Sequence, residues 1–325
     1  MNAEHSISVR HKAGLRLPPG LSVTDRRRHA FLIGIIVALS IIDAIWLPFS
    51  TVKLDVPSLL WQLPQQILFI GLFVIYGTLR PAPRIAITCL AIAEISLFAL
   101  PATIFSYLAM RLGRPLVDDL LASWDRALYF NWPAYVGFVL HRPWLALTLY
   151  ALYASSVTQI AIVSLILGFS ARFQELTSLM AVLMISGCIT IICGAVLPAL
   201  GGYYHFGIPD YGITSFVSDI QGSLNGTLRV ITFDHVEGLV MFPSYHTVIS
   251  LALIAVSWNH RYLRYPIIII NIALLASIPV FGGHYLVDIL AGAGLTVLTL
   301  LIWHGSAHRR NHVEPEPDCS QVGRS

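Results

Sequence analysis

Lysine is almost missing: among 325 residues only Lys12 and Lys53 occur, and arginine carries the rest of the positive charge. Charge of either sign is scarce, at 11% of residues, where a soluble domain carries about 25%; an ordinary water-soluble globule is excluded. A net charge of +3 provides no basic surface for nucleic acid. There are four cysteines; Cys89, Cys188 and Cys193 sit in apolar runs and Cys319 near the C-terminus. None is placed to staple a loop outside the membrane, so no structural disulfide is expected. Cys188 and Cys193 have no His or further Cys beside them, and no metal site is expected there. What fills the chain instead is apolar sequence, 56% of residues, which reads as an integral membrane protein and an all-α, polytopic helix bundle.

Hydropathy divides the chain into about eight spans: 31–49, 58–79, 84–110, 144–168, 174–198, 244–258, 263–281 and 284–304. Residues 1–24 read as a flexible cytoplasmic tail, 25–143 as N-terminal spans plus an interfacial helix, 144–304 as the catalytic core, and 305–325 as a disordered cytoplasmic tail. A cleavable signal peptide is not expected, because the first apolar run starts only after Arg26-Arg27-Arg28 and is long enough to span. Those arginines place the N-terminus inside. Alternation then puts Arg80, Arg84, Arg172, Arg261, Arg264, Arg309 and Arg310 on the cytoplasmic side as well. Segment 111–142 runs against the rule, being outside yet holding Arg111, Arg114, Arg126 and Arg142. Within it Leu116, Leu120, Trp124 and Leu128 recur at helical spacing with acids between. That pattern suits an amphipathic helix in the outer interface, or equally a short loop helix packed on the bundle.

The outer loop 199–243 carries Gly201-Gly202-Tyr203-Tyr204-His205 and ends at Phe242-Pro243-Ser244-Tyr245-His246. Pro243 then Ser244 signals a helix start, and the N–H groups of a helix start favour an anion. His284 follows Gly282-Gly283, with Asp288 four residues on. A carboxylate on one ring nitrogen fixes a histidine's tautomer and raises the basicity of the other. The topology brings His246 and His284 to one surface, with a hairpin of spans between them. Two imidazoles and two helix N-termini around one small volume suit a phosphoryl group: one ring attacks phosphorus and the other protonates the leaving oxygen. Arg229 is the one Arg or Lys in 199–243, and is either a guanidinium clamp or a solvated loop residue.

Pro243-Ser244-Tyr245-His246, with Ser277 and His284-x3-Asp288, resembles the type 2 phosphatidic acid phosphatase (PAP2) superfamily, whose patterns are K-x6-RP, PSGH and SR-x5-H-x3-D. The resemblance covers roughly 174–304. It implies that His284 is the nucleophile forming a phosphohistidine, that Asp288 orients it, that His246 is the general acid, and that Ser244 donates to phosphoryl oxygens. Ser244 also reads as a plain cap. Arg229, Tyr245 and Tyr285 complete the substrate-binding set. Three positions depart from the pattern: K-x6-RP is missing, Tyr245 replaces glycine, and Ile278 replaces arginine. Gly-Gly-His-Tyr-x-x-Asp and a bulky residue in Pro-Ser-x-His resemble the branch of inositol phosphorylceramide synthase and sphingomyelin synthase. The implied activity is transfer of a phospho-headgroup between lipids, with lipid phosphate phosphatase as the alternative. The implied partners are a phospholipid or lipid phosphate donor, a lipid alcohol acceptor and the membrane, with no nucleic acid. No cofactor or metal is implied, and vanadate should inhibit. A bacterial inner membrane, with the site facing the periplasm, is the expected location.

Other readings are structural. Asp43, Glu94 and Gln159 lie inside spans and read as interhelical hydrogen-bonding groups, or as a substrate or proton path. Trp46, Trp61, Trp124, Trp132 and Trp144 read as an interfacial belt. His205, Asp234 and His235 are loop residues with some claim to headgroup contact, and Asp210 and Asp219 read as solvated. A transporter or flippase is the reading of another class; it calls for inverted repeats of broken spans, which the two halves do not display. A catalytically silent scaffold is a third.

Overall fold

A chain this apolar keeps its backbone groups paired inside helices. The computed structural model, which describes residues 23–210, 216–233 and 238–311, is a helix bundle with a single two-residue strand pair among those residues. In order come α1 (Val23–Trp46), β1 (Lys53–Leu54), α2 (Val56–Val74), α3 (Pro83–Met110), α4 (Asp118–Ala127), α5 (Trp132–Leu140), α6 (Pro143–Ala154) and α7 (Ser156–Phe169). Then follow α8 (Phe173–Val196), α9 (Gly202–His205), α10 (Val217–Leu224), β2 (Val230–Ile231), α11 (Tyr245–Ser257), α12 (Arg264–Phe281) and α13 (Leu286–Asn311).

Among the described residues six helices are long and apolar enough to cross a membrane: Asp25–Phe49, Val56–Leu79, Pro83–Met110, Phe173–Val196, Arg264–Phe281 and Leu286–Gly305. The expected span 144–168 is α6 and α7, bent by 51° at their junction. The expected span 244–258 is α11, whose 13 residues fall short of the roughly 20 that a crossing needs. Two end expectations move. The last helix starts at Leu286 rather than 284, and it continues to Asn311 instead of giving way to a tail at 305. Val23 and Thr24, expected in the N-terminal tail, begin α1; the tails beyond 23–311 lie outside the described residues.

The core is centred on α3 and α8, whose spans are 67% buried, whereas α1 and α2 are 17% buried and line the flank. Leu179, Met180, Leu183, Val248 and Leu253 have no exposure in that core. Hydrogen bonds define one end of the bundle: Val117 N to Pro198 O (2.9 Å), Gly202 N to Gly283 O (2.8 Å) and Ser244 N to Asp288 O (3.0 Å). At the other end Arg172 donates to the Asn259 carbonyl and Arg28 lies 5.4 Å from the Trp303 ring centre.

Helix α4 packs on the bundle, as the second reading of its pattern expects. Leu116, Leu120, Trp124 and Leu128 point outward, while Asp118 and Asp125 are buried against the bundle. Trp132 corrects the belt reading. It is 1% exposed, because its ring packs on Tyr203 and Phe206 and its N–H is consumed inside the protein. Glu94 is paired with His29, a partner on α1, at 2.8 Å. Gln159 accepts from Asn271 Nδ2, tying α7 to α12. Asp43 is buried with neither carboxyl oxygen hydrogen-bonded.

Candidate active site

Helix α11 begins where Ser244 turns extended (φ −68°, ψ 116°). Its hydroxyl makes no capping bond. It is fully buried and has no hydrogen-bond partner, as does that of Thr247 one turn on. The plain-cap reading of Ser244 is therefore not met, and its O–H stays available inside the site. A buried hydroxyl without a partner is costly unless something else fills that role. Gly292 on α13 makes this close approach possible: a Cβ there would stand 2.9 Å from that of Thr247.

His246 sits in the first turn of α11. Its ring stacks on Tyr153 of α6, with centroids 4.2 Å apart and planes 25° off parallel, and its Nδ1 is 3.3 Å from the Tyr153 hydroxyl. His284 lies in the loop before α13, two residues ahead of the helix rather than within it. Its Nδ1 is 3.2 Å from Asp288 Oδ2, which also accepts from Tyr285 N at 2.9 Å. The His284 carbonyl accepts from Trp132 Nε1 at 2.9 Å, so the loop is held from both sides. Burial lowers the His284 pKa to about 4, against a smaller opposite pull from the Met241 carbonyl. The imidazole is neutral near pH 7, the form that can attack.

The two histidines converge on Gly282. A Cβ at that residue would stand 2.6 Å from His284 Cδ2 and 3.2 Å from the Tyr153 hydroxyl that holds His246. Only a bare Cα lets the chain pack this closely between them. The rings are close enough to interact electrostatically. Each has Nδ1 beside a protein partner, Asp288 for His284 and the Tyr153 hydroxyl for His246.

The wall behind His284 is built by carboxylates from α4. Asp125 accepts from Leu286 N and Val287 N, both at 2.9 Å. Burial raises its pKa, and those two N–H groups pull it back. Asp118 accepts from Leu200 N, Gly201 N and the Tyr285 hydroxyl (3.0 Å). Gly201 adopts φ +90°, and a side chain there would collide with Met241 and the Gly283 carbonyl. The expectation of two free helix N-termini is thus corrected. The start of α13 is already occupied by Asp125 and Asp288, because an anion from the chain itself neutralises it. Among the described residues no three His, Cys, Asp or Glu converge as metal ligands would.

The remaining expected site residues make other contacts. Tyr285 is fully buried behind His284. Tyr245 donates its hydroxyl to the Leu183 carbonyl at 2.9 Å and so anchors α11 to α8; as the first residue of a helix it needs no positive φ. Arg229 donates to Thr51 Oγ1 and bonds neither histidine. His205 is 3.6 Å from Asp119 and edge-on to Phe206. Asp219 accepts from the Tyr107 hydroxyl at 2.8 Å, which corrects its solvated reading. Asp234 and His235 lie outside the described residues. Tyr153, Trp132, Asp118, Asp125 and Gly282 are the contributors the sequence did not single out.

Residues 119–302 match a family model, that of the PAP2 superfamily. The curated proteins and the solved structures contain no match to the chain.

Proposed function

The chain belongs to the PAP2 superfamily, and on that premise we propose that it is a membrane lipid phosphotransferase working through a phosphohistidine. His284 Nε2 attacks phosphorus of a phospholipid headgroup, and the bond from phosphorus to the leaving oxygen breaks. His246 gives that oxygen its proton. An acceptor hydroxyl then loses its proton to His246 and attacks phosphorus, and the N–P bond breaks to restore His284. Ser244 Oγ donates to a phosphoryl oxygen, while Asp288 holds the His284 tautomer.

The observation that carries this reading is the approach of the two histidines to Gly282, one through its own ring and the other through Tyr153, each with Nδ1 beside a protein partner. Transfer is favoured over hydrolysis because His284 is 4% exposed and Ser244 and Asp288 are fully buried. Burial of these groups disfavours water as acceptor and suits a lipid alcohol, as in the inositol phosphorylceramide synthase and sphingomyelin synthase group. The arginine distribution supports both termini in the cytoplasm and the site on the outward face, periplasmic in a bacterial inner membrane.

The test is a product assay. Purified protein receives phospholipid labelled in its headgroup phosphate, with and without a sphingoid or other long-chain alcohol. A new labelled phospholipid that depends on the alcohol is expected. Inorganic phosphate released equally in both cases would make the protein a phosphatase.

A further inference from the structure

At the same end of the bundle as the histidines, but not touching them, the chain assembles a second concentration of charge. Arg111, at the end of α3, donates from Nη2 to Thr51 Oγ1 at 2.8 Å and from Nη1 to the Leu228 carbonyl at 3.2 Å. Arg229 donates from Nη1 to the same Thr51 oxygen, also at 2.8 Å. The parallel pairing of β1 with β2 fastens the segments together, and Lys53 N donates to the Arg229 carbonyl at 2.8 Å. The exposed Lys53 side chain adds a third cation to this patch.

Two guanidinium groups thus meet on one neutral oxygen. Among the described residues neither forms an ion pair, although the other close arginine contacts include carboxylates: Arg28 with Asp25 and Arg172 with Glu175. A hydroxyl can accept both bonds but cannot offset two positive charges, and like charges this near repel. The segments 51–55, 111 and 228–231 are far apart in sequence, yet they are tied together around this pair. The cations are also misplaced by the distribution that puts arginine in cytoplasmic loops. Large apolar side chains flank each of them: Phe49 is 86% exposed near Thr51, Leu112 is 56% exposed beside Arg111, and Val230 is 45% exposed beside Arg229.

We propose that Arg111 and Arg229, gathered around Thr51, bind the phosphate of an anionic phospholipid headgroup at the membrane surface. The forked guanidiniums match phosphate oxygens, and the apolar flank lies where acyl chains would run. Free phosphate shares the first feature and not the second. The site stands independently of the histidine reaction.

The experiment uses the full-length protein in phosphatidylcholine bilayers. Spin-labelled phosphatidylglycerol and spin-labelled phosphatidylcholine are compared for the fraction immobilised on the protein. Wild type should prefer the anionic label, and Arg229→Gln should lower that preference about fivefold. Arg229→Lys should retain most of it, and so should Arg142→Gln, which removes a cation stacked on Phe138 elsewhere. Arg229→Gln guards against misfolding, since Arg111 also braces Leu228. Equal binding of both labels by wild type, or a preference that survives both Arg229→Gln and the double variant Arg111→Gln/Arg229→Gln, overturns the proposal. Displacement of the anionic label by millimolar inorganic phosphate assigns the site to a soluble anion and overturns the lipid assignment.

Discussion

Two buried histidines each meet a carboxylate, and their surroundings differ. His29 has its Nδ1 2.8 Å from Glu94 and its Nε2 3.4 Å from the Thr177 hydroxyl, so both ring nitrogens are engaged and α1, α3 and α8 are joined. His284 has its Nδ1 3.2 Å from Asp288, and its ring edge packs against Gly282, where a Cβ would stand 2.6 Å from Cδ2. Burial is nearly the same: His29 is 0% and His284 is 4% exposed. The lesson is that a histidine–carboxylate pair does not by itself indicate chemistry. What separates the two is their surroundings: His29 joins three long helices, whereas His284 sits in a loop whose Gly282 backs onto the Tyr153 hydroxyl beside a second histidine.

The comparison breaks most sharply by substitution. His284→Ala should lower headgroup transfer at least about a thousandfold, as loss of a covalent nucleophile does, while the protein still inserts and melts cooperatively. His29→Ala should leave turnover per folded molecule unchanged and lower stability by about 3 kcal/mol, since it strands the buried Glu94. Thermal melts of both variants in detergent, beside single-turnover assays, check the pair. Equal loss of activity in the two would erase the distinction.

A smaller effect is expected at Tyr153. Its hydroxyl is the group that holds His246 Nδ1, so Tyr153→Phe should slow transfer about tenfold, in line with a lost hydrogen bond to a charged or charging group. Donor KM should hold, and the pH dependence should shift because the general acid loses its fixed partner. A uniform fall in activity with an unaltered pH profile would reduce Tyr153 to packing.

The smallest and broadest effect is on pH. Burial takes the His284 pKa from 6.5 to about 4. In the unfolded chain the same group charges at its ordinary value, so its contribution to stability is present above pH 6.5 and declines as pH falls towards 4. Activity limited by this group should likewise persist on the acid side of 6.5, where an ordinary histidine nucleophile would be lost. An acid limb at or above 6.5 would place the reacting group elsewhere.

Much of this was legible in the sequence, and the rest was not for identifiable reasons. The apolar runs, the start of α11 and the His284–Asp288 spacing are local features, and local patterns survive without coordinates. Tyr153 was not legible, because in an aromatic, apolar span it reads as one more membrane side chain. Asp125 was not legible for a related reason. Its spacing in α4 marks the polar face of an amphipathic helix, yet that face turns inward to reach amides 161 residues away. Trp132 was assigned to a belt by residue type, whereas Gly202 presents it a surface without a side chain to pack on. The glycine pairs 201–202 and 282–283 were visible as pairs; that one backs onto the other depends on tertiary contact alone.

The most direct measurement is to catch the intermediate. The protein is mixed with phospholipid carrying radiolabelled headgroup phosphate, quenched within a turnover and digested, and the labelled peptide is sequenced. Acid-labile, alkali-stable label on His284, missing from His284→Ala, is the predicted result. A protein that transfers its headgroup with no label on His284, or with label still acquired by His284→Ala, contradicts the account.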